Sequence, residues 1–284
     1  MDKGITKRPF GILIEEGICY GALILMALLP FLDSVLRPFH IFIPFSRHLM
    51  VRLFLVSGLF AAMITTRSKE HISIAIIQYA KNEKIKKLLT LGANLISSFI
   101  ATIMFWDSIS FIRHSFTGRA AIFFINDRIF ALVMPIAFGL MALRFAANLS
   151  QRKYCPLPLV PLLLGSLAAL PAIAKIIWGF DSPDIFNASL DFLYDFAFYA
   201  RVPLILFMIV AALSGTPIFI AIGGIALILL RANGGEPEIA PIQIFSALTG
   251  TDLIAIPLFT ITGFFLSESK AGERLVKTFR SFFS

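Results

Sequence analysis

Asp33, Arg52 and Asp107 are the side chains of this chain best placed to do chemistry, because each lies within a long apolar run. An ionisable group is costly to leave unpaired in hydrocarbon, so one found there marks a candidate functional residue. Each of the three falls about one helical turn inside the same end of its run, which would let them meet at a similar depth. The planar donors of Arg52 would be satisfied by the carboxylate of Asp33 or of Asp107. The other reading is that each side chain snorkels separately to the membrane surface.

Other residue types suggest little chemistry. Lys175 and Trp178 near the end of a fifth apolar run, and Trp106 near the end of the third, read as anchors at the membrane interface. His40, His48, His71 and His114 lie near run edges without His-x-x-x-His or Glu-x-x-His spacing, so no metal site is assigned. Cys19 and Cys155 form no framework. No P-loop, Gly-x-Ser-x-Gly or Gly-x-Gly-x-x-Gly string occurs. A membrane-embedded enzyme would need clustered His, Asp, Glu or Ser within the runs, and only Asp33 and Asp107 approach that. No catalytic residue and no cofactor are assigned.

The elements that must hold these residues are membrane helices. The chain has 284 residues, is 58% hydrophobic and only 15% charged, and has a mean hydropathy of +0.86, well outside the composition of a soluble domain. About 20 apolar residues cross a bilayer core as a helix. Five runs meet that need: Gly17 to Leu36, Leu49 to Thr65, Leu88 to Phe111, Phe130 to Leu149 and Leu157 to Trp178. Ser189 to Leu213 is long enough for a sixth, and Gly215 and Pro217 then interrupt the helix. Ile218 to Leu230 and Asp252 to Leu266 follow as shorter spans. The expectation is an all-α integral membrane protein with about eight transmembrane helices.

The net charge of +8 does not imply nucleic acid, because Lys and Arg sit in short clusters between apolar runs. With a cytoplasmic N-terminus and an uncleaved first helix, most of the 25 basic residues fall on the cytoplasmic side. The loop from Gly179 to Phe198 carries four Asp and no basic residue and would be external. Both termini are then cytoplasmic. From Ser269 onward Leu275, Val276, Phe279, Phe282 and Phe283 share one helical face, and Lys270, Glu273, Arg274, Lys277 and Arg280 share the other. That pattern predicts an amphipathic helix lying on the membrane surface, serving either as an anchor or as a mechanical arm.

Specific strings add a family resemblance. His71-Ile72 after the second run, and the run Met134 to Phe145, resemble the small four-helix membrane subunit (DctQ-like) of tripartite ATP-independent periplasmic (TRAP) transporters. Pro203 to Leu230 with its Gly215-Thr216-Pro217 break, then Ala255 to Phe259, Gly263 and Gly272-Glu273-Arg274-Leu275, resemble the opening of the large permease subunit (DctM-like). The resemblance divides the chain into a small-subunit-like domain at 1–150, a linking helix and acidic loop at 151–200, and a large-subunit portion at 201–284. Where the small subunit often begins its second helix with an acid, this chain has Ser46-Arg47-His48, so no role for such an acid is carried over.

What the resemblance implies is a multi-pass inner-membrane component of a sodium-coupled importer of organic anions such as dicarboxylates or sialic acid. The substrate would arrive on a periplasmic binding protein. In the family, sodium and substrate bind in hairpins beyond the surface arm. Ser284 falls just after that arm, so no ion or substrate ligand is assigned and no transport by this polypeptide alone is expected. Its expected partners are the binding protein, the remaining large subunit and lipids, with no nucleic acid. Arg37, Arg47, Arg113 and Arg119 are candidate contacts for an acidic face of the binding protein, the other reading being arginines in solvent or among lipid headgroups. A non-transporting membrane scaffold is the alternative function.

Overall fold

A backbone in hydrocarbon must satisfy its own hydrogen bonds, and continuous rather than alternating apolarity selects the helix as the way to do so. The computed structural model describes residues 10–41, 43, 45–68, 82–116, 121–122, 125–149, 157–179, 184–250 and 252–283, and nearly all of them are helical. Helices α1 (Phe10–Leu36), α2 (Ser46–Ser68) and α3 (Glu83–Ser110) are each long enough to span a bilayer. α4 (Asp127–Ala131) and α5 (Val133–Ala147) together make a fourth candidate span. A two-residue ladder pairs Ala121 with Asn126 and Ile122 with Ile125. It turns the chain into α4, whose first turn Asn126 caps by accepting from the Arg128 amide at 3.0 Å.

The later apolar runs are broken. α6 (Leu159–Ala168) and α7 (Leu170–Trp178) meet at a 63° bend at Ala169, where Pro171 has no N–H to continue the ladder. α8 (Asp184–Tyr199) and α9 (Arg201–Leu213) meet at 71°, and Pro203 supplies the same defect. The acidic stretch expected as a loop is helical from Asp184 onward, and the run from Ser189 to Leu213, expected to be long enough for one span, falls in a bent pair that can still make one crossing.

Gly215 has φ of +99°, which ends α9 and lets Pro217 begin α10 (Ile218–Ala232) in a new direction. α11 (Ile239–Leu248) and α12 (Ala255–Glu268) are shorter still. Among the described residues four helices are long and apolar enough to cross a membrane, or six if each bent pair is one crossing, against the eight expected. α10, α11 and α12, at 15, 10 and 14 residues, are shorter than the roughly 20 that a full crossing requires. α13 (Ala271–Phe283) is a separate helix after a break at Ser269, as its periodicity predicts.

α3 is the central post, packing against α5, α6, α7, α9, α10 and α11. Small and hydroxylated side chains allow this close approach. Ser98 donates to the Ala142 carbonyl of α5 at 3.0 Å, and Thr102 turns back to its own helix at Ser98. At the crossing with α6, a Cβ on Gly165 would lie 2.7 Å from Thr102 Cβ and 2.9 Å from the Phe99 carbonyl oxygen. The core around this post is apolar and tight, with Leu55, Met63, Met134 and Met141 fully or almost fully buried.

Candidate functional site

The direction of the first five helices defines two ends of the bundle. α1 and α2 are antiparallel neighbours, so the start of α1 lies beside the end of α2, and α5 ends at the same level. At this end Arg67 of α2 pairs with Glu16, with its Nη1 3.5 Å from Glu15. Arg144 of α5 donates to Glu15 and to the Met63 carbonyl at 2.7 Å. One glutamate pair and two arginines thus join three helices.

At the other end Arg52, near the start of α2, grips Asp127 at the start of α4 in a two-pronged bond. Nε donates to Oδ1 at 3.0 Å and Nη2 to Oδ2 at 2.8 Å. Phe245 of α11 lies against the guanidinium, 5.4 Å from ring centroid to Cζ. Asp127 also stands at a helix N-terminus, where the backbone dipole favours its charge.

A larger network lies at the same end. Arg231, in the last turn of α10, donates from Nη2 to both oxygens of Asp107, at 3.0 and 3.2 Å. One turn further along α3, Ser110 donates to Glu238 Oε1 at 2.6 Å. Lys175 of α7 then donates to Glu238 Oε2 at 3.0 Å and to Glu236 at 2.9 Å. Asp107 and Glu238 are 0% and 2% exposed, so their charges depend on these donors. The network fastens α7, α10 and the α10–α11 connection to α3.

The structure places Asp33, Arg52 and Asp107 toward one end of the bundle but does not bring them together. Asp33 pairs along its own helix axis with Arg37 at 3.1 Å, Arg52 with Asp127, and Asp107 with Arg231. The expected mutual pairing is corrected for a geometric reason: each charge finds a partner on a nearer element. Lys175 is likewise an internal brace rather than a snorkelling anchor, and Trp106 donates to Ser166 at 3.0 Å, tying α3 to α6. Cys19 is buried and its thiol donates to the Ser57 carbonyl. His71, Cys155 and Arg119 lie outside the described residues.

Sequence reasoning passed over Asp127, Arg231, Glu238, Glu15 and Arg144. Asp127, Arg231, Glu238 and Glu15 sit at or beside helix ends, where charge is usually solvated, and Arg144 lies near the end of its run. The one available signal was adjacency to an apolar run, as for Arg231 directly after Ile218 to Leu230. Arg37, Arg47 and Arg113 are exposed and belong to the end of α1, the start of α2 and the residues just after α3, all at the Asp107 end. Among the described residues no three His, Cys, Asp or Glu side chains group as a metal site.

Chemically, these arrangements can hold helices in register. Residues 26–153 match the model of the family described as Tripartite ATP-independent periplasmic transporters, DctQ component. The match runs from the middle of α1 through α5 and supports a DctQ-like component of a TRAP transporter over that stretch. No curated protein matches the chain.

Proposed function

We propose that this chain is a membrane component of a TRAP transporter that imports organic anions such as dicarboxylates or sialic acid. A periplasmic binding protein delivers the substrate, a sodium gradient drives the import, and the chain supplies the stationary scaffold. The DctQ match over 26–153 carries the reading. The ion pairs other than Asp33–Arg37 support the scaffold role, because they join different elements by bonds that a moving site would have to break. Residues 201–284 are read as a large-subunit portion fused to the DctQ-like part, with α13 as its arm. Exposed Arg37, Arg47 and Arg113 offer a basic surface for the binding protein at the face opposite the Glu15 cluster.

The second reading is a membrane scaffold that assembles a partner without serving transport, which the paired state of the buried charges also favours. Expression in a bacterium together with the neighbouring permease and binding-protein genes separates the two. Uptake of labelled dicarboxylates and sialic acid is measured with and without a sodium gradient. The transporter reading expects sodium-dependent uptake that disappears when this chain is omitted. Uptake that is independent of the chain for every carboxylate tried would sink it.

A further inference from the structure

At the end of the bundle that holds the Glu15 cluster, the start of α3 and the end of α5 border an open cleft of about 480 Å³. Lys84, Lys86 and Lys87 stand on its lining, with Asn94 further along α3 and Asn148 at the end of α5. The arginines of this end are already spent, Arg67 on Glu15 and Glu16 and Arg144 on Glu15. The three lysines form no ion pair with any described carboxylate, and among the described residues Glu83 is the one acid on the lining. Three positive charges against one negative leave an excess that selects an anion.

Depth narrows the choice of anion. The apolar run of α3 begins at Leu88, so the lysines stand about 1.5–6 Å outside it along the helix axis. A headgroup layer is about 5–8 Å thick on each side of the hydrocarbon, which puts all three ammonium groups among lipid phosphates. The same turns of α3 turn Ile85 and Leu88 outward, at 50% and 69% exposure, so acyl chains have an apolar wall beside the basic cleft. Asn94 lies about 9 Å beyond Leu88, which carries polar lining into the outer hydrocarbon. It donates one amide hydrogen to the Thr90 carbonyl at 2.8 Å, leaving the other for an occupant. The helix end itself contributes little, because the Asn82 side chain already accepts from the Lys84 amide at 3.0 Å. The side chains of two helices therefore make the cleft, and a lipid uses both its charge and its apolar wall.

We propose that this cleft holds the phosphate of an anionic membrane phospholipid, with Lys84, Lys86 and Lys87 pairing with the phosphate oxygens and Asn94 and Asn148 donating to the ester oxygens below it. The inference requires only that the bundle sits in a bilayer, so it stands or falls independently of the transport reading.

The test titrates the full chain in mild detergent with phosphatidylglycerol, or with phosphatidylethanolamine of the same acyl chains, and counts bound lipid by native mass spectrometry. The first phosphatidylglycerol is expected to bind about tenfold more tightly than phosphatidylethanolamine. Lys84→Gln, Lys86→Gln and Lys87→Gln together should abolish that preference, and Asn94→Leu should weaken binding of both lipids several-fold. Glu83→Gln, which removes the opposing charge, should tighten phosphatidylglycerol by up to about fivefold. Lys270→Gln, Arg274→Gln and Lys277→Gln on α13 should leave the preference intact. Equal affinity for the two lipids overturns the site, and an equal loss from the two triple variants shows that charge acts diffusely rather than in the cleft. Inorganic phosphate at the concentration of the lipid should not displace it; displacement overturns a lipid as the occupant. Circular dichroism checks that the variants fold, and the comparison of headgroups with Glu83→Gln decides the matter even if the α3 triple variant does not.

Discussion

Arg231 reaches both carboxylate oxygens of Asp107 across 124 positions of sequence, and the carboxylate it meets is fully buried. Removing one partner leaves an uncompensated charge, whereas removing both leaves apolar surface. Arg231→Met alone should destabilise the chain by about 3–5 kcal/mol. Adding Asp107→Leu should recover most of that loss. Denaturant unfolding in mild detergent, followed by circular dichroism, measures both; a double variant no more stable than Arg231→Met would show that the pair is not an isolated brace.

Arg52 holds Asp127 through two different nitrogens, a geometry that a lysine ammonium cannot reproduce. Arg52→Lys should therefore lose much of the stability lost in Arg52→Ala, despite keeping its charge. A double-mutant cycle with Asp127→Ala should give a coupling of about 0.5–3 kcal/mol. Additive losses would mean that the contact contributes nothing beyond its parts.

Gly165 sits at a close crossing of α6 with α3, since a methyl group there would meet Thr102 and the Phe99 carbonyl. Gly165→Ala should cost about 1–3 kcal/mol by overpacking. Gly58 lies in α2 with nothing within 4 Å of a Cβ, so Gly58→Ala should be neutral or slightly stabilising. Equal melting temperatures for the two variants would contradict the crossing.

Leu275 and Phe279 of α13 are 61% and 59% exposed, and the charged residues of the helix lie between them and its other face. In reconstituted chain lacking Cys19 and Cys155, nitroxides placed at these two positions should collide mainly with oxygen. Nitroxides at Arg274 and Lys277 should collide mainly with a water-soluble nickel chelate. Uniform accessibility would remove the surface-helix assignment.

Arg37, Arg47 and Arg113 lie at one end of the bundle, and the proposed docking with the binding protein makes a kinetic prediction. Neutralising them together with Arg119 should slow association with the binding protein and flatten its salt dependence, with a smaller effect on dissociation. Surface plasmon resonance on nanodisc-embedded chain at two salt concentrations reads this directly. An unchanged on-rate would exclude the basic surface as the docking face.

Apolar run length determined that this is a helical membrane chain and where its first four spans lie, and residue type determined that Gly215 with Pro217 ends a helix, because the length that crosses a fixed bilayer thickness and the residues that cannot continue a helix are both read from local sequence. The amphipathic period likewise made α13 legible. Pro171 and Pro203 were visible but did not by themselves announce bends of 63° and 71°, since a proline early in a helix also fits a straight start. The four aspartates between Gly179 and Phe198 outweighed the helical stripe of Leu193 and Ala197 that packs α8 inward. Only the tertiary structure decided which charge meets which. Asp127 lies 75 positions from Arg52 and Arg231 lies 124 from Asp107, so no local spacing encodes either pair. Their partnership follows from helix crossings that small residues on α3 permit, and a buried charge accepts whichever opposite group those crossings bring within reach.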